Sequence, residues 1–288
     1  MAKTIGFALG GGGARGALQV GALRALFEHG IKPEIITGTS IGAMNAVSLG
    51  LFGTDLASVD KLEEVWKQGA ELQIMDSRFQ NLIVRALIGR PDNSAKQKTI
   101  DFLTHLGIQP EMTFADFSPL RIGLVSTDLT SSKPIVYGVD PQHNVLEGVL
   151  ASIAIQPWFM PLDVRDKFLI DGGFVSNVPI QVAMEMGADA IFALDLNDPT
   201  PFETSNTLNK YIDAVTRTVC GRITDLEIAL AELKGVQVYH IVLTSGGLPS
   251  WDFSNTTALI GWGYAQMQRK LTEWAAENLE LAGNMKTK

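Results

Sequence analysis

Two glycine-rich turns near the start of the chain constrain its fold more than any other feature. The first, Gly-Gly-Gly-Gly-Ala-Arg-Gly over 10–16, follows an apolar segment at 4–9 and precedes a helix predicted over 17–29. The second, Gly-Thr-Ser-Ile-Gly over 38–42, follows an apolar segment at 34–39 and opens another apolar helix. Strand, turn and helix thus occur twice in succession, which predicts a mostly parallel sheet with helices on both faces.

The same alternation continues along the chain. We predict further strands over 120–127, 133–139, 168–170, 190–195 and 236–243, and further helices over 58–68, 94–106, 144–155, 179–186, 208–233 and 256–281. The best candidate for a linker is the Pro-containing segment 198–206. The strand over 236–243 comes after this linker and would still need a sheet to join, so we predict one domain over 1–288.

Composition excludes several classes of protein. With 31 acidic and 23 basic residues, the chain carries a net charge of −8, which argues against a general nucleic-acid-binding protein. The sole cysteine, Cys220, cannot form an internal disulfide, and no Cys/His cluster has zinc-ligand spacing. The N-terminal segment lacks the basic flank and continuous apolar core of a signal peptide, so we expect folding in the cytosol.

A charge-free segment of about 20 residues at 35–54 has the length of a membrane-spanning helix. Its first part is β-branched and ends at Gly38, whereas its second part is rich in Ala, Met and Leu. That change of composition favours a buried strand followed by a buried helix.

The first glycine turn matches two different kinds of site. Gly11-x-Gly13-x-x-Gly16 fits the dinucleotide-binding fingerprint, which also requires an acidic residue at the end of the next strand. Gly38-Thr-Ser40-Ile-Gly42 stands there instead, and Gly-x-Ser-x-Gly between a strand and a helix is the pattern of a nucleophile elbow. The elbow at 38–42 therefore favours a different role for the glycine turn at 10–16, which is to supply backbone amides.

An ester attacked by Ser40 develops negative charge on its carbonyl oxygen, and fixed N–H donors stabilise that charge. The loop from Gly11 through Gly12 and Gly13 to Arg15 offers such amides, and the Ile41 amide lies at the start of the elbow helix. The Arg15 side chain has no role in this scheme. Because a cation at a helix N-terminus opposes the helix dipole, we expect it to have a nearby carboxylate or phosphate partner.

Ser40 also needs a base, and none of the four histidines is well placed to supply one. His29 and His105 end predicted helices, His143 lies in a polar turn, and His240 falls inside an apolar strand, where a packed core histidine is favoured. Asp171, by contrast, ends an apolar strand and precedes two glycines that permit close approach. It is either the base or an aspartate that only caps the following turn.

Together these motifs resemble the patatin-like phospholipases. The resemblance rests on Gly-Gly-Gly-x-Arg-Gly at 11–16, Gly-Thr-Ser-x-Gly at 38–42 and Asp-Gly-Gly at 171–173, with smaller matches at Ala151-Ser152 and Asn177-x-Pro179. It covers about residues 4–197, and residues after about 200 match only loosely. The family usually has a Pro-Gly pair where this chain has Gln156-Pro157-Trp158, which changes the expected shape of the nearby pocket.

The resemblance implies a three-layer α/β/α domain with a catalytic dyad and neither a metal nor a cofactor. Carried across, Ser40 is the nucleophile, Asp171 is the base, and Gly11, Gly12, Gly13 and the Arg15 amide form the oxyanion loop. The implied activity is that of a serine lipid acyl hydrolase of phospholipase A, lysophospholipase or esterase type. Two alternatives stay open: an acyltransferase that passes the acyl group to an alcohol or thiol, and a non-catalytic lipid-binding regulator.

Two segments are candidates for contact with a lipid or membrane surface. Segment 77–98 is basic and apolar, although an amphipathic helix packed on the core would look the same. Segment 248–253 places Trp251 and Phe253 in a Gly/Pro-rich loop, where a satellite core is an equal alternative.

Overall fold

The computed structural model describes residues 3–71, 94–156, 159–198 and 208–276. Its strands are β1 (Ile5–Leu9), β2 (Ile35–Thr39), β3 (Arg121–Asp128), β4 (Lys133–Tyr137), β5 (Leu162–Val164), β6 (Lys167–Asp171), β7 (Ala190–Asp195) and β8 (Gln237–Val242). Its α-helices are α1 (Ala17–Glu28), α2 (Ile41–Phe52), α3 (Leu56–Glu71), α4 (Ser94–His105), α5 (Val145–Ser152), α6 (Ile180–Glu185), α7 (Leu208–Leu233) and α8 (Thr256–Ala276).

The strands form one sheet in the order β5-β6-β3-β2-β1-β7-β8, with β4 paired to the other edge of β3. Strands β3, β2, β1, β7 and β8 are parallel to one another, whereas β4 and β6 run antiparallel to β3. The predicted mostly parallel sheet is thus confirmed. β8 follows the predicted linker and pairs with β7 in the same sheet, as the prediction of one domain requires.

Helices cover both faces of the sheet because its central strands are apolar on both faces. In β1, Phe7 and Leu9 pack into one buried cluster and the intervening Ala8 packs into the other. The first cluster includes residues of α1, α2, α3 and α8, and the second includes residues of α6 and α7. Side chains of a strand alternate between faces, so the two clusters are the two interfaces of a three-layer α/β/α fold.

The pairing of β2 and β6 along β3 determines which strand ends lie next to each other. β2 pairs with residues Arg121–Val125 of β3, and β6 pairs with the next three residues, Ser126–Asp128. Both lie on the edge of β3 opposite β4, since Val125 and Ser126 each also pair with a β4 residue. β2 runs parallel to β3 and β6 runs antiparallel, so the carboxyl ends of β2 and β6 meet end to end.

Most predicted elements occur within a few residues of their expected bounds. Segment 35–54 forms β2 and α2, as its composition favours, and none of the helices in the described ranges is long and apolar enough to cross a bilayer. The sequence did not predict β5, which has only three residues. The linker candidate beyond residue 198 and most of the basic segment, at 77–93, lie outside the described residues.

Candidate active site

Ser40 lies in a sharp turn between β2 and α2. Its backbone has φ 55° and ψ −123°, a positive-φ conformation that costs a non-glycine residue about 1–3 kcal/mol. A Cβ on Gly38 would lie 2.5 Å from the Gly42 carbonyl oxygen, and a Cβ on Gly42 would collide with the Leu9 carbonyl. Both positions therefore require glycine, and the turn has the sharp backbone geometry of the nucleophile elbow that the pattern predicts.

Buried hydroxyl groups hold this turn in place. The Ser40 amide donates to Ser152 Oγ at 3.0 Å, and the Ser152 hydroxyl donates to the Val125 carbonyl at 2.6 Å. The Thr39 hydroxyl donates to the Ser176 carbonyl at 2.7 Å, which ties the end of β2 to the segment that follows Asp171. Sequence reasoning noted Ala151-Ser152 as a motif but assigned no role to the serine, because its partner is a backbone amide 112 positions away.

Asp171 is the last residue of β6 and lies beside the elbow. The register pairs Thr39 with Val125 and Asp171 with the adjacent Ser126. A Cβ on Gly172 would collide with the Val125 carbonyl and lie 3.1 Å from Thr39 Cγ2, so glycine is needed where the two strand ends meet. The head-to-head arrangement of β2 and β6 thus brings the two predicted dyad residues, Ser40 and Asp171, together.

The Asp171 carboxylate is buried, with 3% of the residue exposed. Its Oδ1 accepts the Gly173 amide at 2.8 Å, whereas its buried Oδ2 has no hydrogen-bond partner among the described residues. Burial raises the pKa of Asp171 to about 6, and the Ser40 hydroxyl and the Gly173 amide oppose that shift. The Ser40 hydroxyl is thus near enough to affect the pKa without forming a hydrogen bond of ordinary geometry.

The first glycine turn packs directly on the elbow. A Cβ on Gly11 would lie 3.1 Å from Ser40 Cβ and 2.8 Å from Asn177 Oδ1. The Gly11 amide donates to the Asn177 carbonyl at 3.1 Å, and the Arg15 amide donates to the Gly12 carbonyl at 3.3 Å. These two predicted oxyanion donors are therefore engaged within the protein.

The other three predicted donors differ from these two. The amides of Gly12, Gly13 and Ile41 donate to no residue in the described part of the chain, and Gly12, Gly13 and Ile41 are all partly exposed. Gly13 has φ +58° and lies under the backbone of Ser250, whose carbonyl accepts the Ala14 amide at 2.7 Å. The loop around residue 250 therefore contacts the glycine turn at Gly13 and Ala14, beside the open amides of Gly12 and Gly13.

The Arg15 side chain is buried, with 8% of the residue exposed, and its Nε donates to the Gly12 carbonyl at 3.4 Å. Its positive charge affects the pKa of the Cys220 thiol. Burial and the charges of Asp171 and Asp195 raise that pKa to about 12, whereas the charge of Arg15 lowers it. Arg15 thus lies in a region that also holds buried carboxylates.

None of the four histidines hydrogen-bonds to Ser40 or Asp171 in the described structure. His240 differs from its prediction: 30% of its side chain is exposed, and its Nε2 lies 3.0 Å from Asp195 Oδ2. The prediction of a packed core histidine was therefore wrong, because β8 is the last strand of the sheet and its side chains are covered less completely. The described residues also contain no group of three or more His, Cys, Asp or Glu side chains that could hold a metal ion.

The loop at 248–253 divides its two aromatic residues between core and solvent. Phe253 stacks on Trp66 with ring centroids 6.1 Å apart and packs against the main core, whereas Trp251 is 38% exposed. Trp251 directly follows Ser250, which contacts the glycine turn. Phe253 thus belongs to the main core rather than to a satellite core, and Trp251 lies near the candidate site and is exposed.

Known proteins resemble this chain in both sequence and structure. Residues 7–184 match the model of the patatin-like phospholipase family. The chain is 32% identical over 217 residues to patatin-like phospholipase domain-containing protein 7 of Rattus norvegicus, which covers 71% of this chain and 14% of that protein. It is 29% identical over 216 residues to lysophospholipase NTE1 of Mycosarcoma maydis, covering 72% of this chain and 10% of that protein.

The chain thus corresponds to only a small part of these relatives. Among solved structures, VipD from Legionella pneumophila superposes with a TM-score of 0.50 at 16% identity, over 95% of this chain and 67% of that one, which shows a shared fold. The family match spans the glycine turn, the elbow and the Asp171 turn. From its sequence, its sheet and this match, the chain belongs to the patatin-like phospholipase family.

Proposed function

We propose that this chain is a serine lipid acyl hydrolase in which Ser40 is the nucleophile and Asp171 is the base. The observation that carries the proposal is the meeting of β2 and β6 on one edge of β3, which sets a strained serine beside a buried carboxylate. Family membership supports lipid esters as the substrate class. The names of the relatives, which include lysophospholipases, favour phospholipids and lysophospholipids among them.

The reaction follows from the positions of these groups. Ionised Asp171 accepts the Ser40 proton as Oγ attacks the ester carbonyl carbon. The negative charge that forms on the carbonyl oxygen is stabilised by the free amides of Gly12, Gly13 and Ile41, each worth about 3 to 4 kcal/mol in such a site. The proton on Asp171 then passes to the departing alcohol, leaving an acyl group on Ser40.

The second half of the reaction uses the same groups. Asp171 takes a proton from water, the resulting hydroxide attacks the acyl carbon, and Ser40 regains its proton as the fatty acid leaves. A carboxylate with a pKa of about 6 is ionised at neutral pH and is more basic than an ordinary aspartate. The burial of Asp171 therefore suits it to both proton transfers.

Covalent labelling tests this proposal. A fluorophosphonate probe is expected to label wild-type protein at Ser40, and Ser40→Ala is expected to lose both labelling and hydrolysis of lysophospholipids of graded chain length. Ser48→Ala is the matched control, because Ser48 is a buried serine of α2, the helix that directly follows Ser40. Stoichiometric labelling of a serine other than Ser40 would contradict the proposal.

The two alternatives give different results in the same assay. A non-catalytic regulator would show neither labelling nor turnover. An acyltransferase would be labelled at Ser40 but would release little fatty acid until an alcohol or thiol acceptor was added. Hydrolysis by wild type without an acceptor therefore separates the proposed hydrolase from both.

A further inference from the structure

An apolar patch lies on the surface beside the candidate active site. It consists of Phe174, Tyr211, Val215 and Val219, which are 46%, 46%, 63% and 42% exposed. Phe174 ends the short 3₁₀ turn Gly172–Phe174 that follows Asp171, and the other three residues belong to α7. We call these four residues the edge patch.

Helix geometry makes three of these residues one stripe. Tyr211, Val215 and Val219 are spaced four residues apart, so they lie on successive turns of one helix face. At 1.5 Å per residue the stripe is about 12 Å long. Arg222, which is also exposed, continues the same face one turn further on.

The path of α7 places this stripe near the carboxyl ends of the parallel strands, where the candidate active site lies. α7 connects β7 to its parallel neighbour β8, so it starts near the carboxyl ends of the strands, where Ser40 and the glycine turn lie. Two contacts fix its first half there. The Cys220 thiol lies 3.4 Å from the Gly173 carbonyl, and Asn197 Nδ2 donates to the Arg217 carbonyl at 3.0 Å.

The second half of α7 provides a comparison surface on the same helix. Leu226 and Leu233 are 53% and 86% exposed, and they lie on the part of α7 that runs toward the amino ends of the strands. They match the edge patch in chemistry and exposure but not in distance from the candidate site.

We infer that the edge patch docks this protein on the surface of a lipid aggregate. The inference rests on the proposed function, since a lipid hydrolase takes its substrate from a bilayer or micelle and must bring its site to that surface. Transfer of valine and phenylalanine side chains out of water lowers the free energy, and tyrosine favours the interface between lipid and water. Arg222 adds a positive charge that attracts anionic phospholipids to a protein whose net charge is −8.

Vesicle binding tests the inference separately from catalysis. The test variant combines Tyr211→Ser, Val215→Ser and Val219→Ser, and the control combines Leu226→Ser and Leu233→Ser, all in the Ser40→Ala background. With vesicles of phosphatidylcholine and phosphatidylglycerol, we expect the test variant to lose at least tenfold in binding and the control to stay within twofold of its parent. Equal losses in both variants, or no loss in the test variant, would overturn the inference.

Activity provides a second measurement, made with variants that retain Ser40. The ratio of the rate on long-chain phospholipid vesicles to the rate on a soluble short-chain ester is expected to fall at least tenfold in the test variant. An enzyme that hydrolyses neither substrate but still binds vesicles through the patch would contradict the proposed function alone. Val215→Asp, at the most exposed of the three helix positions, repeats the test with one substitution if the triple variant folds poorly.

Sedimentation velocity separates lipid from protein partners. If the edge patch were covered by a second copy of the chain, wild type would be a dimer and the test variant a monomer without lipid present. That result would overturn lipid docking in favour of an interface between copies.

Discussion

Asp171 carries a cost in stability that its proposed role explains. Burial raises the pKa of Asp171 from 3.8 to about 6, so the folded protein binds a proton more tightly than the unfolded chain does. Stability therefore falls as the pH rises from about 4 to 6, and above that range the ionised carboxylate costs up to about 3 kcal/mol at 1.36 kcal/mol per pKa unit. A carboxylate kept buried at this cost, with one oxygen unpartnered, is suited to accept a proton.

We therefore expect Asp171→Asn to have opposite effects on stability and activity. The amide keeps an oxygen to accept the Gly173 N–H but carries no charge, so unfolding by urea at pH 8 is expected to show a gain of about 1 to 3 kcal/mol that disappears near pH 4. Turnover is expected to fall roughly a thousandfold or more, with the Ser40→Ala/Asp171→Asn double variant hardly worse than either single variant. A structural aspartate that only caps the turn would leave turnover within tenfold of wild type.

The pH dependence of activity is expected to show an acid limb near pH 6, because Asp171 must be ionised to accept the Ser40 proton. The limb alone does not identify the base, since an ordinary imidazole has a pKa of about 6.5. His240→Asn resolves this: we expect the limb and the turnover of folded protein to persist, with a loss of about 1 to 3 kcal/mol in stability from the broken contact to Asp195. A shift or loss of the limb in this variant would indicate a Ser–His site.

At the scale of elements, the sequence predicted the strands and turns of the site but not how they meet. The elbow and the strand ending at Asp171 could be recognised because glycine spacing and apolar runs are local signals. The meeting of β2 and β6 depends on register along β3, more than 80 positions from β2 in the chain, and no local pattern encodes it. The same limit applies to the oxyanion donors, because the bonds that engage the Gly11 and Arg15 amides depend on loop conformation and on Asn177.

Helices α6 and α7 are joined by a buried carboxylate that the sequence pattern did not single out. Glu227 of α7 accepts the Gln181 amide at 2.7 Å, next to the Pro179 carbonyl that receives the Thr37 hydroxyl. Burial raises the pKa of Glu227 from 4.5 to about 7, and the hydrogen bond from the Gln181 amide, with the nearby Ser176 hydroxyl and Ile180 amide, opposes the shift. The folded-state pKa is raised, so this glutamate lowers stability as the pH rises from about 4.5 to 7.

Glu227→Gln is accordingly expected to stabilise the protein at alkaline pH. The glutamine oxygen can still accept the Gln181 amide, and the ionisation cost is removed. We expect a gain of about 1 to 3 kcal/mol in the free energy of unfolding at pH 8.5 and little change at pH 4.5. Equal stability of the two proteins at both pH values would show that Glu227 is solvated as well in the folded state as in the unfolded chain.

At the scale of the whole molecule, the part after residue 198 completes the fold that carries the site. α8 lies along α1, and their backbones approach so closely at Gly21 and Gly263 that a Cβ on either would collide with the other helix. Leu18 of α1 and Phe192 of β7 are fully buried. α8 also covers the cluster that holds Phe192, and β8 pairs along the whole of β7.

A chain ending at residue 198 is therefore expected not to fold, even though it contains every residue assigned to the site. It would expose one edge of β7 and the apolar face of α1, and a core that loses a large share of its buried apolar area falls below the usual 5–15 kcal/mol of stability. We expect the shortened chain to be insoluble or to unfold without a cooperative transition, and to react with fluorophosphonate no faster at Ser40 than denatured full-length protein does. Gly263→Ala in the full chain is the intermediate case, since it forces α1 and α8 apart while leaving the sheet complete, and it is expected to lower the midpoint of urea unfolding but to retain labelling. If the shortened chain unfolds cooperatively and is labelled at Ser40 at the rate of the full chain, the region after 198 is a separate unit, and the prediction of one domain over 1–288 is wrong.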